Sequence, residues 1–212
     1  METKHLTIAI IGPTASGKSE LAVRLAKKFN GEVISADSRQ VYRGMDIGSG
    51  KITKKEKRNI PHHLLGVANP RRAFSVAQYQ KLANKALEKI TKSGHLPIVC
   101  GGSHFYIQAL VENLNLPQVE PNPKLRRELE KLPTKKLFAK LKKLDKTKAE
   151  NIDPNNRVRL IRAVEIALNL KGEAFRSPKP RLANYRWLIL TLEVSDKKIK
   201  ENIKIRLKKR LE

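Results

Sequence analysis

The first half of the chain alternates between short apolar runs and longer stretches with helical spacing. Apolar runs with the length of buried strands lie at 6–11, 32–35, 63–67 and 96–100. Stretches with apolar residues at helical spacing lie at 16–29, 76–90 and 103–111. Strands that alternate with helices in this way predict an α/β fold with a mostly parallel sheet.

The pattern changes near residue 116. Three prolines between 117 and 123 indicate a linker, and from 124 to 172 the apolar residues keep helical spacing among many lysines. Asp153 and Pro154 are predicted to cap and open the last of these helices. A second linker is predicted around residues 177–180.

After this linker the α/β pattern returns, with a predicted strand at 186–193 and a basic helix at 196–211. We therefore predict a core made of residues 1–115 and 183–212. An all-helical insertion at 116–182 interrupts it.

The charge of the chain indicates a polyanionic partner. Lysine and arginine number 45 against 20 acidic residues, which gives a net charge of +25. Such an excess destabilises the compact state by self-repulsion unless a polyanion relieves it, so nucleic acid is the leading candidate. The alternative is a lysine-rich surface that binds nothing in particular.

The composition also narrows the location of the protein. There is one cysteine, Cys100, so no intramolecular disulfide can form, which fits a reducing cytoplasm. The longest apolar runs are far shorter than a membrane span, and the N-terminus lacks the pattern of a signal peptide. We expect a cytoplasmic protein without a membrane partner.

One glycine-rich segment predicts a phosphate-binding site. It matches the pattern G-x-x-x-x-G-K-[ST], lies between a predicted strand and a predicted helix, and comprises Gly12, Pro13, Thr14, Ala15, Ser16, Gly17, Lys18 and Ser19. Its backbone N–H groups and the helix N-terminus suit an anion. Lys18 is expected to reach the terminal phosphate, and the Ser19 hydroxyl to ligate Mg²⁺. The loop alone does not distinguish a kinase from other enzymes that handle a pyrophosphate.

Two further strand ends are expected beside this loop. Asp37 follows the second predicted strand, and Gly101, Gly102 and Ser103 follow the fourth. The carboxyl ends of parallel strands face one crevice. Asp37 could bind Mg²⁺ through water or accept a proton from a nucleophile. The Ser103 hydroxyl could bond a phosphate or Asp37, whereas Cys100 is expected to be a small core residue.

These motifs, in this order, are similar to those of the tRNA dimethylallyltransferase family, which also includes adenylate isopentenyltransferases. The segments that carry the resemblance are 12–19, Asp37-Ser38-x-Gln40-Val41-Tyr42, Gly44-Met45-Asp46-Ile47-Gly48, Pro61-His62-His63-Leu64, Gly101-Gly102-Ser103-x-x-Tyr106 and Arg159-x-x-Arg162-Ala163-x-Glu165. Ser19 and Ser103 stand where the family commonly has threonine, which keeps a hydroxyl at both positions. Family members generally continue beyond the basic helix.

The resemblance implies a fold like that of P-loop nucleoside-triphosphate hydrolases and a prenyl transfer. The phosphate loop would hold dimethylallyl diphosphate with Mg²⁺, and N6 of the adenine on the 3′ side of the anticodon would attack the allylic carbon. Asp37 would take the proton, and pyrophosphate would leave. Lys18, Ser103 and an arginine of the last helix, Arg210 or Arg206 with Arg210 favoured, would complete the catalytic set.

The resemblance also implies which residues contact RNA. Asp37, Ser38, Arg39 and Gln40 would contact the flipped-out adenine, and the insertion would grip the anticodon stem. A second contact segment would comprise Val158, Arg159, Leu160, Ile161 and Arg162. The family suggests a monomer.

Three alternatives remain open on the sequence. The same chemistry could act on free AMP, ADP or ATP, which does not require so basic a surface. The loop could serve a small-molecule kinase. The protein could also bind RNA without catalysis.

Overall fold

The computed structural model describes residues 4–117, 119–170 and 184–211, and it describes no side chain at 210 or 211. The predicted helix end at Gly172 and the predicted linker at 177–180 lie outside these residues. The chain divides into two compact units, Met1–Leu114 with Pro180–Glu212, and Asn115–Lys179. The sequence places the insertion at 116–182.

The first unit is built on a parallel five-stranded sheet with the order β3-β2-β4-β1-β5. Its strands are β1 (His5–Ile11), β2 (Gly31–Ser35), β3 (His62–His63), β4 (Leu96–Gly101) and β5 (Tyr185–Thr191). β1, β2 and β4 are the most buried, which explains why their sequences are almost continuously apolar. The predicted α/β fold with a parallel sheet is confirmed.

The third strand is much shorter than the sequence predicts. The apolar run suggests 63–67, but β3 ends at His63. Leu64 and Gly66 have φ angles of 64° and 63°, and this left-handed backbone turns the chain out of the sheet. The segment bonds instead to the loop after β2, because the Gly66 N–H donates to the Gln40 carbonyl over 3.0 Å.

Helices cover both faces of the sheet. α1 (Lys18–Lys28) packs on one face through Ala22 and Ala26, while α3 (Val76–Lys92) and α4 (His104–Val111) pack on the other. The short α2 (Lys54–Lys57) lies in the loop between β2 and β3, and α9 (Asp196–Leu211) follows β5. No helix among the described residues combines the length and apolar composition that a bilayer crossing requires.

All the regular secondary structure that is described in the second unit is helical. It contains α5 (Pro123–Glu130), α6 (Thr134–Leu144), α7 (Lys146–Glu150) and α8 (Arg157–Asn169). Their apolar stripes meet in a separate core around Leu129, Leu137, Leu141, Leu160 and Val164. The unit therefore has the apolar interior that an independent helical insertion needs.

The start of α8 corrects a prediction. The sequence suggests Asp153 as the cap and Pro154 as the first helical residue, but the helix begins at Arg157. The Asn156 side chain is the cap and accepts from the Arg159 N–H over 3.1 Å. Asp153 forms a turn instead, in which its carboxylate accepts from the Asn155 N–H over 2.9 Å.

Candidate active site

The phosphate loop connects β1 to α1 and is shaped by its two glycines. A Cβ at Gly12 would lie 2.9 Å from the carbonyl oxygen of Leu192, so only glycine fits beside the end of β5. Gly17 has a φ of 91°, in the left-handed region that favours glycine, and α1 begins at the next residue. The helix N-terminus therefore opens directly into the loop, as an anion site requires.

Lys18 lies inside this loop. Its ammonium donates to the Pro13 carbonyl and lies 3.5 Å from the Ser16 hydroxyl oxygen. Burial lowers the pKa of Lys18 below its ordinary value, and the nearby negative charge of Asp37 acts in the opposite direction. Lys18 and Asp37 are therefore close enough to influence each other electrostatically, although they come from different strand ends.

The ends of β1, β2 and β4 meet through very close backbone contacts. A Cβ at Gly101 would lie 2.0 Å from the carbonyl oxygen of Ala36, and one at Gly102 would lie 3.4 Å from that of Gly12. The Ser103 N–H donates to Ala36 over 3.1 Å. The Ser103 hydroxyl accepts from the Ser38 N–H over 2.8 Å. Ser103 thus fixes the backbone on both sides of Asp37.

The Asp37 carboxylate is held in one orientation by its own loop. Oδ1 accepts from the backbone N–H groups of Arg39 and Gln40 at 2.8 and 3.3 Å, and Oδ2 accepts from Nε2 of Gln40 at 3.1 Å. The side-chain amide oxygen of Gln40, Oε1, in turn accepts from the Ile52 N–H at 3.4 Å. Asp37 is half-buried, so this oriented carboxylate remains partly accessible to solvent.

The loop after Tyr42 lies against one of the predicted arginines of the last helix. Lys51 anchors this loop through the Tyr42 carbonyl and the Asp46 carboxylate. A Cβ at Gly50 would lie 2.9 Å from the guanidinium carbon of Arg206, so Arg206 lies directly against this backbone. The charge of Arg206 also contributes to lowering the pKa of Lys18, after burial. Arg206 therefore lies beside the phosphate loop, whereas the side chain of Arg210, the favoured candidate, is outside the described residues.

α9 also supplies a contact that the sequence does not single out. Nδ2 of Asn202 donates to the carbonyl oxygen of Ala15 in the phosphate loop over 2.9 Å. Asn202 precedes Arg206 by four residues, which places the two on one face of the helix. That spacing was the available signal, but asparagine carries no charge and so did not stand out.

The predicted magnesium ligand is the hydroxyl of Ser19. The Ser19 hydroxyl lies in the first turn of α1, and Ser19 is exposed. No group of three or more His, Cys, Asp or Glu within the described ranges is placed to hold a metal ion. One hydroxyl with substrate phosphate oxygens and water suits Mg²⁺, which seldom needs an all-protein cage. Burial raises the pKa of the neighbouring Cys100 thiol to about 12, so Cys100 is no thiolate ligand.

The predicted RNA segment of α8 divides into two kinds of residue. Val158 and Arg159 are exposed at the start of the helix. Leu160 and Ile161 are buried in the core of the helical unit. Arg162 donates to the Glu165 carboxylate and, over 2.7 Å, to the Val119 carbonyl.

Comparison with known proteins adds the family. The family described as IPP transferase matches residues 40–212, which is most of the chain. The chain is also 40% identical over 218 residues to the tRNA dimethylallyltransferase of Staphylococcus carnosus, covering 99% of this chain and 69% of that protein. The chain belongs to the IPP transferase family. The tRNA dimethylallyltransferase of a Roseiflexus species is 48% identical over 163 residues, covering 75% of this chain and 53% of its own length.

Solved structures of family members share the fold. The full-length tRNA isopentenylpyrophosphate transferase from Bacillus halodurans matches with a TM-score of 0.63 and 39% identity, over 98% of this chain and 66% of that one. A eukaryotic dimethylallyltransferase described as acting on tRNA matches with a TM-score of 0.74 and 28% identity, over 97% and 55%. The chain therefore spans between about half and somewhat over two thirds of these relatives.

Proposed function

We propose that this protein transfers a dimethylallyl group from dimethylallyl diphosphate to N6 of the adenine 3′-adjacent to the anticodon of a tRNA. The observation that carries the proposal is the pairing of a phosphate loop at the end of β1 with an oriented carboxylate at the end of β2, with β4 between the two strands. The Gln40 side chain and two backbone N–H groups hold the Asp37 carboxylate in place. The negative charge of Asp37 acts to raise the pKa of Lys18, against the effect of burial. The names of the relatives support the same reaction.

In the proposed reaction N6 forms a bond to the allylic carbon, and the bond from that carbon to the diphosphate oxygen breaks. The exocyclic amine is a weak nucleophile, so Asp37 accepts its proton as the new bond forms. Negative charge develops on the departing pyrophosphate. Lys18, Arg206 or Arg210, and the N–H groups of the loop stabilise that charge because they are oriented towards it beforehand.

The adenine must leave its stack before its amine can reach Asp37. Ser38, Arg39 and Gln40 lie next to Asp37, and Arg39 is exposed. We propose that they contact the extruded base. Val158 and Arg159 are the most exposed members of the second predicted RNA segment and are proposed to contact the tRNA backbone.

Mg²⁺ is the proposed cofactor, with the Ser19 hydroxyl as its protein ligand beside the diphosphate oxygens. When bound, the ion neutralises diphosphate charge. The active form is proposed to be a monomer in the cytoplasm, and equilibrium sedimentation in the presence of tRNA tests the oligomeric state.

The deciding experiment incubates the chain with Mg²⁺ and radiolabelled dimethylallyl diphosphate, together with an anticodon stem–loop or AMP. We expect label in the stem–loop. A stem–loop carrying inosine in place of the target adenine is the matched control, because inosine lacks the N6 amine. Label in AMP alone, or in the inosine control, would contradict the proposal. ATP-dependent phosphorylation of a metabolite without prenyl transfer would indicate a kinase.

A further inference from the structure

The middle of the phosphate loop is fastened to α9 by one side chain. Nδ2 of Asn202 donates to the Ala15 carbonyl oxygen over 2.9 Å, across 187 residues of sequence. Asn202 is half-buried, while most described residues around it on α9 are exposed. The contact joins two segments of the same compact unit.

Ala15 needs such a fastening because of its backbone conformation. Its φ is 62°, in the left-handed region, which disfavours residues with a Cβ. An anion in the loop is bound by N–H groups that point inward, so the neighbouring carbonyl dipoles must point away from it. A donor that binds the Ala15 carbonyl from outside the loop favours that orientation.

We propose that Asn202 is a positioning residue for the phosphate loop. It holds the Ala15 carbonyl away from the anion and so keeps the loop in the form that binds diphosphate. The role requires only that the loop binds a diphosphate, so it rests on that part of the proposed function and not on the identity of the acceptor.

The surroundings of Asn202 support this role. Arg206 lies one turn further along the same face of α9, against the backbone of Gly50. The chain just before α9 also touches the loop, because the Leu192 N–H donates to the Ile11 carbonyl over 2.8 Å and the Leu192 carbonyl lies against Gly12. The segment from β5 to α9 therefore contacts the phosphate loop at its start and at its middle.

The test measures binding of inorganic pyrophosphate with Mg²⁺ by isothermal titration calorimetry. Asn202→Ala is expected to weaken binding about five- to tenfold, the effect of one neutral hydrogen bond. Asn202→Asp is expected to weaken it further, because the carboxylate turns an acceptor towards the Ala15 carbonyl and adds negative charge. Asn202→Gln keeps the amide donor and should recover part of the affinity. Ile205→Ala, at an exposed position of the same helix, is the control and should bind as the wild type does.

Two further measurements separate positioning from simple stability. Thermal unfolding without pyrophosphate detects a merely structural contact, which would lower the melting temperature of Asn202→Ala and leave its pyrophosphate affinity unchanged. In turnover assays we expect KM for dimethylallyl diphosphate to rise while KM for tRNA stays constant. Wild-type pyrophosphate affinity in the alanine variant would overturn the proposal, whatever the aspartate variant does, because aspartate also adds negative charge.

The outcome also distinguishes this role from the proposed function. If pyrophosphate binding responds to Asn202 as expected but no label reaches tRNA, the positioning role stands and the prenyl transfer is wrong. If the wild type binds no pyrophosphate, both are overturned.

Discussion

The strand-end site and the predicted RNA segment of α8 differ in how their charged residues are paired. At the strand ends, backbone contacts fix the geometry, and the carboxylate of Asp37 is bound by neutral N–H donors and an amide. In α8, by contrast, a buried carboxylate is paired with positively charged side chains. Glu165 is only 2% exposed and accepts from Arg126, Arg162 and the Asn122 N–H.

The two carboxylates, Asp37 and Glu165, differ in whether they are available to react. Asp37 keeps an accessible carboxylate with no cation bonded to it among the described residues, as a general base requires. Glu165 is committed to structure: burial alone would raise its pKa, but the hydrogen bonds from Arg126, the Asn122 backbone and Arg162 lower it to about 2. A charged residue on an exposed helix face is therefore not always available to bind a ligand. It is less available where it is already paired with a buried residue of opposite charge, as Arg162 is with Glu165.

The largest expected effect is on catalysis at Asp37. Asp37→Asn keeps an oxygen that can accept from the Arg39 and Gln40 N–H groups, so the loop should stay folded. It removes the base, and kcat should fall by about 10²- to 10⁴-fold. Single-turnover assays with labelled dimethylallyl diphosphate measure the rate, and filter binding measures tRNA affinity, which should remain.

Glu112→Gln is the matched control for this variant, because it changes a carboxylate to an amide on the far end of α4. Its turnover should equal that of the wild type. If Asp37→Asn kept a near-normal rate, Asp37 would not be the general base. The contrast between a catalytic carboxylate at Asp37 and a structural one at Glu165 would then be wrong.

The sequence predicts the order of strands and helices around the strand ends better than it predicts the details of their packing. Apolar runs and the phosphate-loop pattern are local, so β1, β2, β4 and α1 follow from them directly. The early end of β3 depends on a left-handed backbone at Leu64, which no hydrophobic pattern reveals. The start of α8 depends on whether Asp153 or Asn156 is the N-cap residue, and both residue types are favoured at that position.

The α8 segment shows a second limit of sequence analysis. Spacing places Arg159 and Arg162 on one face, and that inference ignores partners from other helices. Arg162 meets Glu165 within α8, but the Val119 carbonyl that binds it comes from before α5. Such contacts are set by tertiary packing and therefore appear only in the structure. The same holds for Asn202 and Ala15 at the phosphate loop.

The next largest effect is on stability at the strand ends. Gly101→Ala would place a Cβ 2.0 Å from the Ala36 carbonyl oxygen, a backbone atom that cannot move without displacing Asp37. We expect a loss of about 3 kcal/mol or more in the free energy of unfolding, at the upper end of overpacking effects. Gly102→Ala is the control, since its Cβ would make an ordinary contact at 3.4 Å. Equal urea midpoints for the two variants would show that this close approach is not rigid.

A smaller effect is expected at Glu165, and it depends on pH. The pKa of Glu165 is lowered from 4.5 to about 2 in the folded state, so its ion pairs stabilise the fold above pH 4.5 and are lost as the pH falls towards 2. Glu165→Gln should cost about 1–3 kcal/mol at pH 7 and progressively less below pH 4.5. Urea unfolding from pH 7 to pH 3 measures this, with the exposed Glu128→Gln as control. A constant difference between wild type and Glu165→Gln at every pH would contradict the ion-pair explanation.

The smallest effect sharpens the comparison within α8 itself. Arg159→Gln removes an exposed charge and keeps the backbone N–H that Asn156 caps, so stability should not change. Affinity for tRNA should fall about threefold at low salt, and the slope of log K against log salt should flatten by about 0.7 to 0.9, as expected for one lost phosphate contact.

Arg162→Gln should do the reverse, with a loss of about 1 kcal/mol in the free energy of unfolding and little change in the salt slope. Fluorescence anisotropy with a labelled stem–loop, beside urea unfolding, measures both quantities. If Arg162→Gln changed the salt slope and left stability intact, the pairing with Glu165 would not withdraw Arg162 from RNA.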